Sequence, residues 1–97
     1  MSTYVVLYKF TDQGVKDIKH SVERVREGQA ESERRGFKIH GIYWTQGQYD
    51  LVAVVEAPDE ETMVAGLFNI SAAGNVRSET MRAFNAGEME AILKQLG

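Results

Sequence analysis

The sequence predicts an α+β domain in which four strands form one antiparallel sheet and two helices cover one of its faces. Three observations predict it. Segments rich in β-branched and aromatic residues alternate with helix-patterned segments, in the order strand, helix, strand, strand, helix, strand, helix. A glycine turn between the second and third strands marks a hairpin. Turn or capping residues stand at the junctions: Thr11 to Gly14, Gly36, Pro58-Asp59, Gly74-Asn75 and Asn85. The first six elements spell the ferredoxin-like βαββαβ arrangement, and an extra helix follows at the C-terminal end.

TYVVLYKF, residues 3–10, is the first strand. Val5 and Leu7 lie on one side, and Tyr4, Val6, Tyr8 and Phe10 on the other, so both faces are apolar and both need covering. TDQG, residues 11–14, is turn chemistry. The helix that follows runs to about Arg35, with a break near His20-Ser21 where Ser21 would cap a second segment. The inward face of that segment is Val22, Val25, Gly28 and Ser32, small enough for close approach to a sheet. Arg34 and Arg35 suit the negative end of the helix dipole, and Gly36 is the C-cap glycine.

FKIHGIYW, residues 37–44, is the second strand, TQGQ the turn, and YDLVAVVEA, residues 49–57, the third strand. Pro58 ends it. Asp59, Glu60 and Glu61 then open a helix whose first turn favours negative charge. Its expected inward stripe is Met63, Val64, Leu67, Phe68 and Ser71, and it stops at Gly74-Asn75. NVRSETMRAF, residues 75–84, is the fourth strand. Asn85-Ala86-Gly87-Glu88 is a capping box opening a last helix with Met89, Ile92, Leu93 and Leu96 at helical spacing.

The 97 residues suit a single domain spanning residues 1–97, and 43% hydrophobic with 26% charged residues is globular composition. A net charge of −3 argues against nucleic-acid binding, which needs a basic face, and against anionic membrane surfaces. With no cysteine there is no disulfide, no thiolate nucleophile and no cysteine metal site. MSTYVVLYKF reads as a strand rather than a signal peptide, and no run approaches a membrane span. The expectation is a cytoplasmic protein without nucleic-acid or membrane partners.

A two-residue hairpin loop at Gln46-Gly47 would set Trp44 opposite Tyr49, Ile42 opposite Leu51 and His40 opposite Ala53. One face then carries Lys38, His40, Ile42, Trp44, Tyr49, Leu51, Ala53 and Val55. The other carries Phe37, Ile39, Gly41, Tyr43, Asp50, Val52, Val54 and Glu56. The second set has the more aliphatic centre and is placed against the helices. The open face would hold His40, Trp44, Tyr49, Leu51 and the aromatic row of the first strand, which is too apolar to leave in water. In the fourth strand, Arg77, Glu79 and Met81 point one way, and Val76, Ser78, Thr80 and Arg82 the other. Either the first set brings charge to the open face beside His40, or an edge strand carries it into solvent; the edge reading is favoured.

The candidate ligand-binding residues are His40, Trp44, Tyr49, Asp50 and Arg77. Each has a structural reading that is favoured over the functional one. Asp50 can cap backbone N–H groups near the hairpin while Tyr49 stacks on Trp44. His40 has an acid–base range near neutrality but no adjacent carboxylate or second histidine in sequence. His20 falls at the helix break, and two histidines without ligand spacing make no metal site. Ser71 and Ser78 lack a nucleophile elbow, and no phosphate-binding glycine loop is present, so no cofactor and no metal are expected.

Gly47-Gln48-Tyr49-Asp50 resembles the signature of the GYD domain family. TYVVLYKFTDQGVKDIKHS at residues 3–21 and GNVRSETMRAF at residues 74–84 are similar to that family too, so the resemblance covers nearly the whole chain. It implies a ferredoxin-like fold of the dimeric α/β barrel type and brings no established biochemical activity. One departure is Val22, where many relatives carry proline. The glycine turn, Tyr-Asp, apolar strand, helix and Gly-x-Val also resemble the effector domains of leucine-responsive regulators, which oligomerise and in some cases bind amino acids. No DNA-binding segment accompanies them here.

Three functions remain open at this level. One is a homo-oligomer assembled through the open sheet face, holding a small molecule between subunits. Another is a cofactor-free enzyme of the dimeric α/β barrel type acting on a small aromatic or organic substrate through His40, Trp44, Tyr49 and Arg77, by analogy of fold alone. The third is a stand-alone effector module acting on a partner protein.

Overall fold

The computed structural model describes residues 1–97. Strands β1 (Ser2–Phe10), β2 (Lys38–Trp44), β3 (Leu51–Ala57) and β4 (Val76–Ala83) form one sheet in the order β2-β3-β1-β4, with every neighbouring pair antiparallel. The helices are α1 (Asp12–Lys16), α2 (Ser21–Arg34), α3 (Glu60–Ala72) and α4 (Ala86–Leu93). The ferredoxin-like α+β architecture and the extra C-terminal helix are as the element order predicts.

The junctions follow local chemistry. The break before α2 is a 3₁₀ turn over Ile18–His20. Ser21 is the first residue of α2 rather than its cap, and its hydroxyl oxygen instead accepts from the Trp44 indole N–H at 3.0 Å. At the other end of α2, Gly36 has φ of 96°, Phe37 N–H donates to Ser32 O at 3.1 Å and Gly36 N–H to Glu33 O at 3.1 Å. This glycine-terminated cap satisfies the last carbonyls and turns Phe37 into the core. Asp59 caps α3 by accepting from Thr62 N–H at 2.7 Å, and Asn85 and Glu88 close the expected capping box on α4.

The assignment of the two sheet faces is corrected. Tyr4, Val6, Tyr8, Leu51, Ala53, Val55 and Ala57 are buried under α2 and α3, together with Phe37, Met63 and Val76. Ile42 and Trp44 pair with Ala53 and Leu51 and share that side. The open face is Val5, Leu7, Val52 and Val54, all half-buried, with charged residues at either end. So the aromatic row of β1 and Leu51 lie beneath the helices, and Trp44, still 43% exposed, is on that side too, not on the open face. The physical reason is volume. The inward side of α2 offers Val25, Gly28 and Ser32, and α3 offers Gly66, where a Cβ would sit 3.2 Å from the Phe37 ring. Wide side chains on the sheet take up much of the space such helices leave, and a cleft remains between α2 and α3.

Two further expectations change. The hairpin loop is longer by two residues: Trp44 pairs with Leu51, Thr45 N–H donates to Asp50 O at 2.9 Å, and Tyr49 lies in the loop. On α3, Met63 is buried and Leu67 and Ile70 pack on the core, whereas Val64 and Phe68 face outward, Phe68 being 70% exposed. That helix is apolar on most sides, so its pattern does not choose one.

Candidate functional site

Gly47 has φ of 104°, a conformation glycine adopts without strain, and it reverses the chain so that Tyr49 and Asp50 return against β1. Asp50 N–H donates to Tyr8 O at 2.9 Å, and the Asp50 carboxylate accepts from Phe10 N–H at 2.8 Å. Asp50 thus extends the ladder one step past Leu51 and caps the end of β1, a backbone-capping role forty residues away in sequence rather than within the hairpin. Asp50→Ala leaves the Phe10 N–H without that acceptor. The expected loss is about 2 kcal/mol of unfolding free energy in urea titration, the scale for a charge-assisted hydrogen bond.

Tyr49 does not stack on Trp44. Its hydroxyl donates to Glu79 Oε2 at 2.7 Å, and the Lys9 ammonium stands 5.4 Å above its ring. Donation to the Glu79 carboxylate holds the Tyr49 hydroxyl pKa above the ordinary phenol range. Glu79 pairs with Leu7 and Arg77 with Lys9 in the β1–β4 register, so Arg77, Glu79 and Met81 share the open face. The edge strand therefore does carry charge to that face, and Tyr49, Lys9, Arg77 and Glu79 form a polar cluster at one end.

His40 lies where the β2–β3 register shifts, between Ile39 and Gly41. The shift turns His40 to the open side, where its Nε2 meets Glu56 Oε2 at 2.5 Å. Glu56 pairs with Thr3 on β1 and Lys38 on β2. This second polar cluster is thus at the opposite end of β1 from Lys9, about 20 Å away at a strand's rise per residue. A surface groove of about 270 Å³ between β2 and α2 is lined by both His40 and Trp44.

His40 and Trp44 meet at that groove, and otherwise the five candidate residues fall into separate places. Tyr49 and Arg77 sit at one end of the open face and His40 at the other. Trp44 is on the helix side, pinned to Ser21, and Asp50 is engaged by the backbone of β1. Between the two polar ends lies an aliphatic centre of Val5, Leu7, Val52 and Val54. Sequence reasoning missed the partners Glu79 and Glu56. The alternation of β4 offers Glu79, but only the sheet order sets it beside Tyr49.

No helix is long and apolar enough to cross a membrane. A model of the GYD domain matches residues 4–93. The glutamine synthetase and cystathionine beta-lyase binding protein of Thermus thermophilus is 34% identical over 95 residues, covering 97% of this chain and 100% of that protein. A solved structure of a Thermus thermophilus chain superposes with a TM-score of 0.57 at 27% identity, over 89% of this chain and 96% of that one. MtbAldR superposes with a TM-score of 0.66 at 15% identity, over 87% of this chain and 52% of that one, a likeness of fold alone.

Proposed function

The chain belongs to the GYD domain family, and from that premise we propose that it is a binding module that pairs with a second copy through the open sheet face and docks on a metabolic enzyme. The observation that carries the pairing is the composition of that face, an aliphatic centre of Val5, Leu7, Val52 and Val54, with Glu79 beside Leu7 on the edge strand and the other charges toward its two ends. Monomeric proteins rarely leave such a continuous apolar surface in water. A two-fold axis would set the same four residues of each copy against one another, and a chain of 97 residues gains proportionally from added burial. α4 supports the same reading. Met89, Ile92, Leu93 and the following Leu96 remain exposed, so its apolar stripe also lacks cover on its own chain.

The docking partner is inferred from the relative that is named for binding glutamine synthetase and cystathionine beta-lyase, which this chain matches end to end. The candidate ligand-binding residues on the open face, His40, Tyr49 and Arg77, then act as the polar rim of the paired sheets, and a small molecule held between the sheets would meet them there. Calorimetric titration of the purified chain into glutamine synthetase and cystathionine beta-lyase of the same source tests the partner. Saturable heat with at least one enzyme is expected at micromolar concentration. Absence of heat and of co-elution with both enzymes contradicts the docking role and leaves the pairing to be judged separately.

A further inference from the structure

α2 and α3 do not close over the sheet. A cleft of about 500 Å³ lies between them and reaches β1 and β3, a volume in the range of small-molecule sites. Its walls are mainly apolar, with Val25, Ile42, Leu51, Val55 and Ile70 among them. The charged residues on it are two of each sign: Arg24 and Arg35 against Glu27 and Glu31. Arg24 is engaged by Asp17 at 2.8 Å, and Arg35 by Glu31 at 3.1 Å.

Two independent features mark this cleft. The first is Gly28, inside α2, where glycine weakens a helix. Other glycines answer to a neighbour: a Cβ at Gly14 would lie 2.1 Å from Asn75 O, and one at Gly66 would lie 3.2 Å from Phe37. A Cβ at Gly28 would meet nothing within 4 Å, and Gly28 lines the cleft. Packing does not require a glycine there; a larger side chain would take up the cleft's space.

The second feature is Tyr8. It is only 8% exposed and lines the same cleft. The bonds of its backbone account for the strand, but its hydroxyl has no side-chain or backbone partner, unlike the Tyr49 hydroxyl, which donates to Glu79. No side-chain N or O atom of the chain is both buried and unpartnered, so the Tyr8 hydroxyl keeps contact with solvent and is free to donate to an acceptor there. Burial pushes the Tyr8 pKa up to about 12, so the group is a neutral donor at any physiological pH.

We infer that the cleft between α2, α3 and the sheet binds a small neutral molecule with an aromatic or branched apolar body and one oxygen that accepts from the Tyr8 hydroxyl. The apolar walls hold the body, the lack of a side chain at position 28 admits it, and the self-compensating rim disfavours a net charge. This site is on the opposite side of the sheet from the proposed pairing face and does not depend on it.

The test is a chemical-shift titration of the ¹⁵N-labelled full chain with acetophenone, which carries a ring and a carbonyl, and with ethylbenzene, which lacks the oxygen. Saturable shifts are expected in β1, β3, α2 and α3, and not at Glu79 or Met81 on the open face. Tyr8→Phe should weaken acetophenone about five- to tenfold, the worth of one hydrogen bond, and leave ethylbenzene unchanged. Gly28→Leu should raise the melting temperature and abolish binding of both. The inference is overturned if wild type shows no saturable shift, if the shifts fall on the open face, or if Gly28→Leu binds as wild type does. It is equally overturned if Tyr8→Phe leaves acetophenone unaffected or weakens both probes alike. Should Gly28→Leu fail to fold, the Tyr8→Phe comparison decides, because it removes one oxygen and leaves the ring in place.

Discussion

Val54→Asp is expected to give a folded monomer in place of the proposed pair of subunits. Val54 stands at the middle of the open face, paired with Val5 on β1 and Gly41 on β2. Within one subunit an aspartate there remains reachable by water, so its cost is limited to lost β propensity, about 1 kcal/mol. In a paired assembly the two-fold axis brings two carboxylates into an apolar interface with no cation at the centre. Desolvation and like-charge repulsion should weaken association about 1,000-fold or more. Light scattering during gel filtration reads the mass, and circular dichroism reads the fold. A variant that stays assembled and folded would remove the open face from the account.

Leu51→Asp is expected to do the opposite, abolishing the fold rather than the assembly. Leu51 is 6% exposed, pairs with Tyr8 and Trp44, and is covered by the helix layer. The change removes a core side chain, itself worth about 2–5 kcal/mol, and buries a carboxylate. The sum approaches the whole stability of a small domain, about 5–15 kcal/mol. Loss of the cooperative urea transition and of the strand signal is the predicted reading. Val52→Asp, one residue along and on the other side of the sheet, should retain both. This pair of neighbours separates the two faces more sharply than any single variant.

Which face is which was the part of the fold the sequence left ambiguous. Element order, Gly36, Gly74 and the Asn85–Glu88 box could be read directly, because each is local backbone chemistry. The face could not, because β1 and β3 are apolar on both sides and alternation alone assigns no inside. Choosing the more aliphatic set as core failed; what decides is the helix layer, whose Val25, Gly28, Ser32 and Gly66 leave room that Tyr4, Tyr8, Phe37 and Leu51 fill only in part. The signal was present in the helices and had to be weighed against the strands.

The register shift at His40 was legible in part. A glycine inside a strand marks an irregular pairing, and Gly41 has the Tyr43 ring folded over it, where a Cβ would come within 2.7 Å of Cε2. Reading it would have turned Lys38 and His40 away from Ile42 and Trp44. The roles of Tyr49 and Asp50 were out of reach for another reason. Their partners, Glu79 and Phe10, are thirty and forty residues away and are brought close only by the β2-β3-β1-β4 order. The turn of Gly47, Tyr49 and Asp50 is then an anchor between the hairpin and both central and edge strands, with Tyr49 alone also facing the rim of the open side.

Native mass spectrometry of the freshly purified full chain at low micromolar concentration decides whether the open face pairs. An even-numbered assembly, a dimer at minimum, is expected, and it should fall to a single subunit with Val54→Asp. A well-folded single chain as the sole species of the unaltered protein would contradict the pairing.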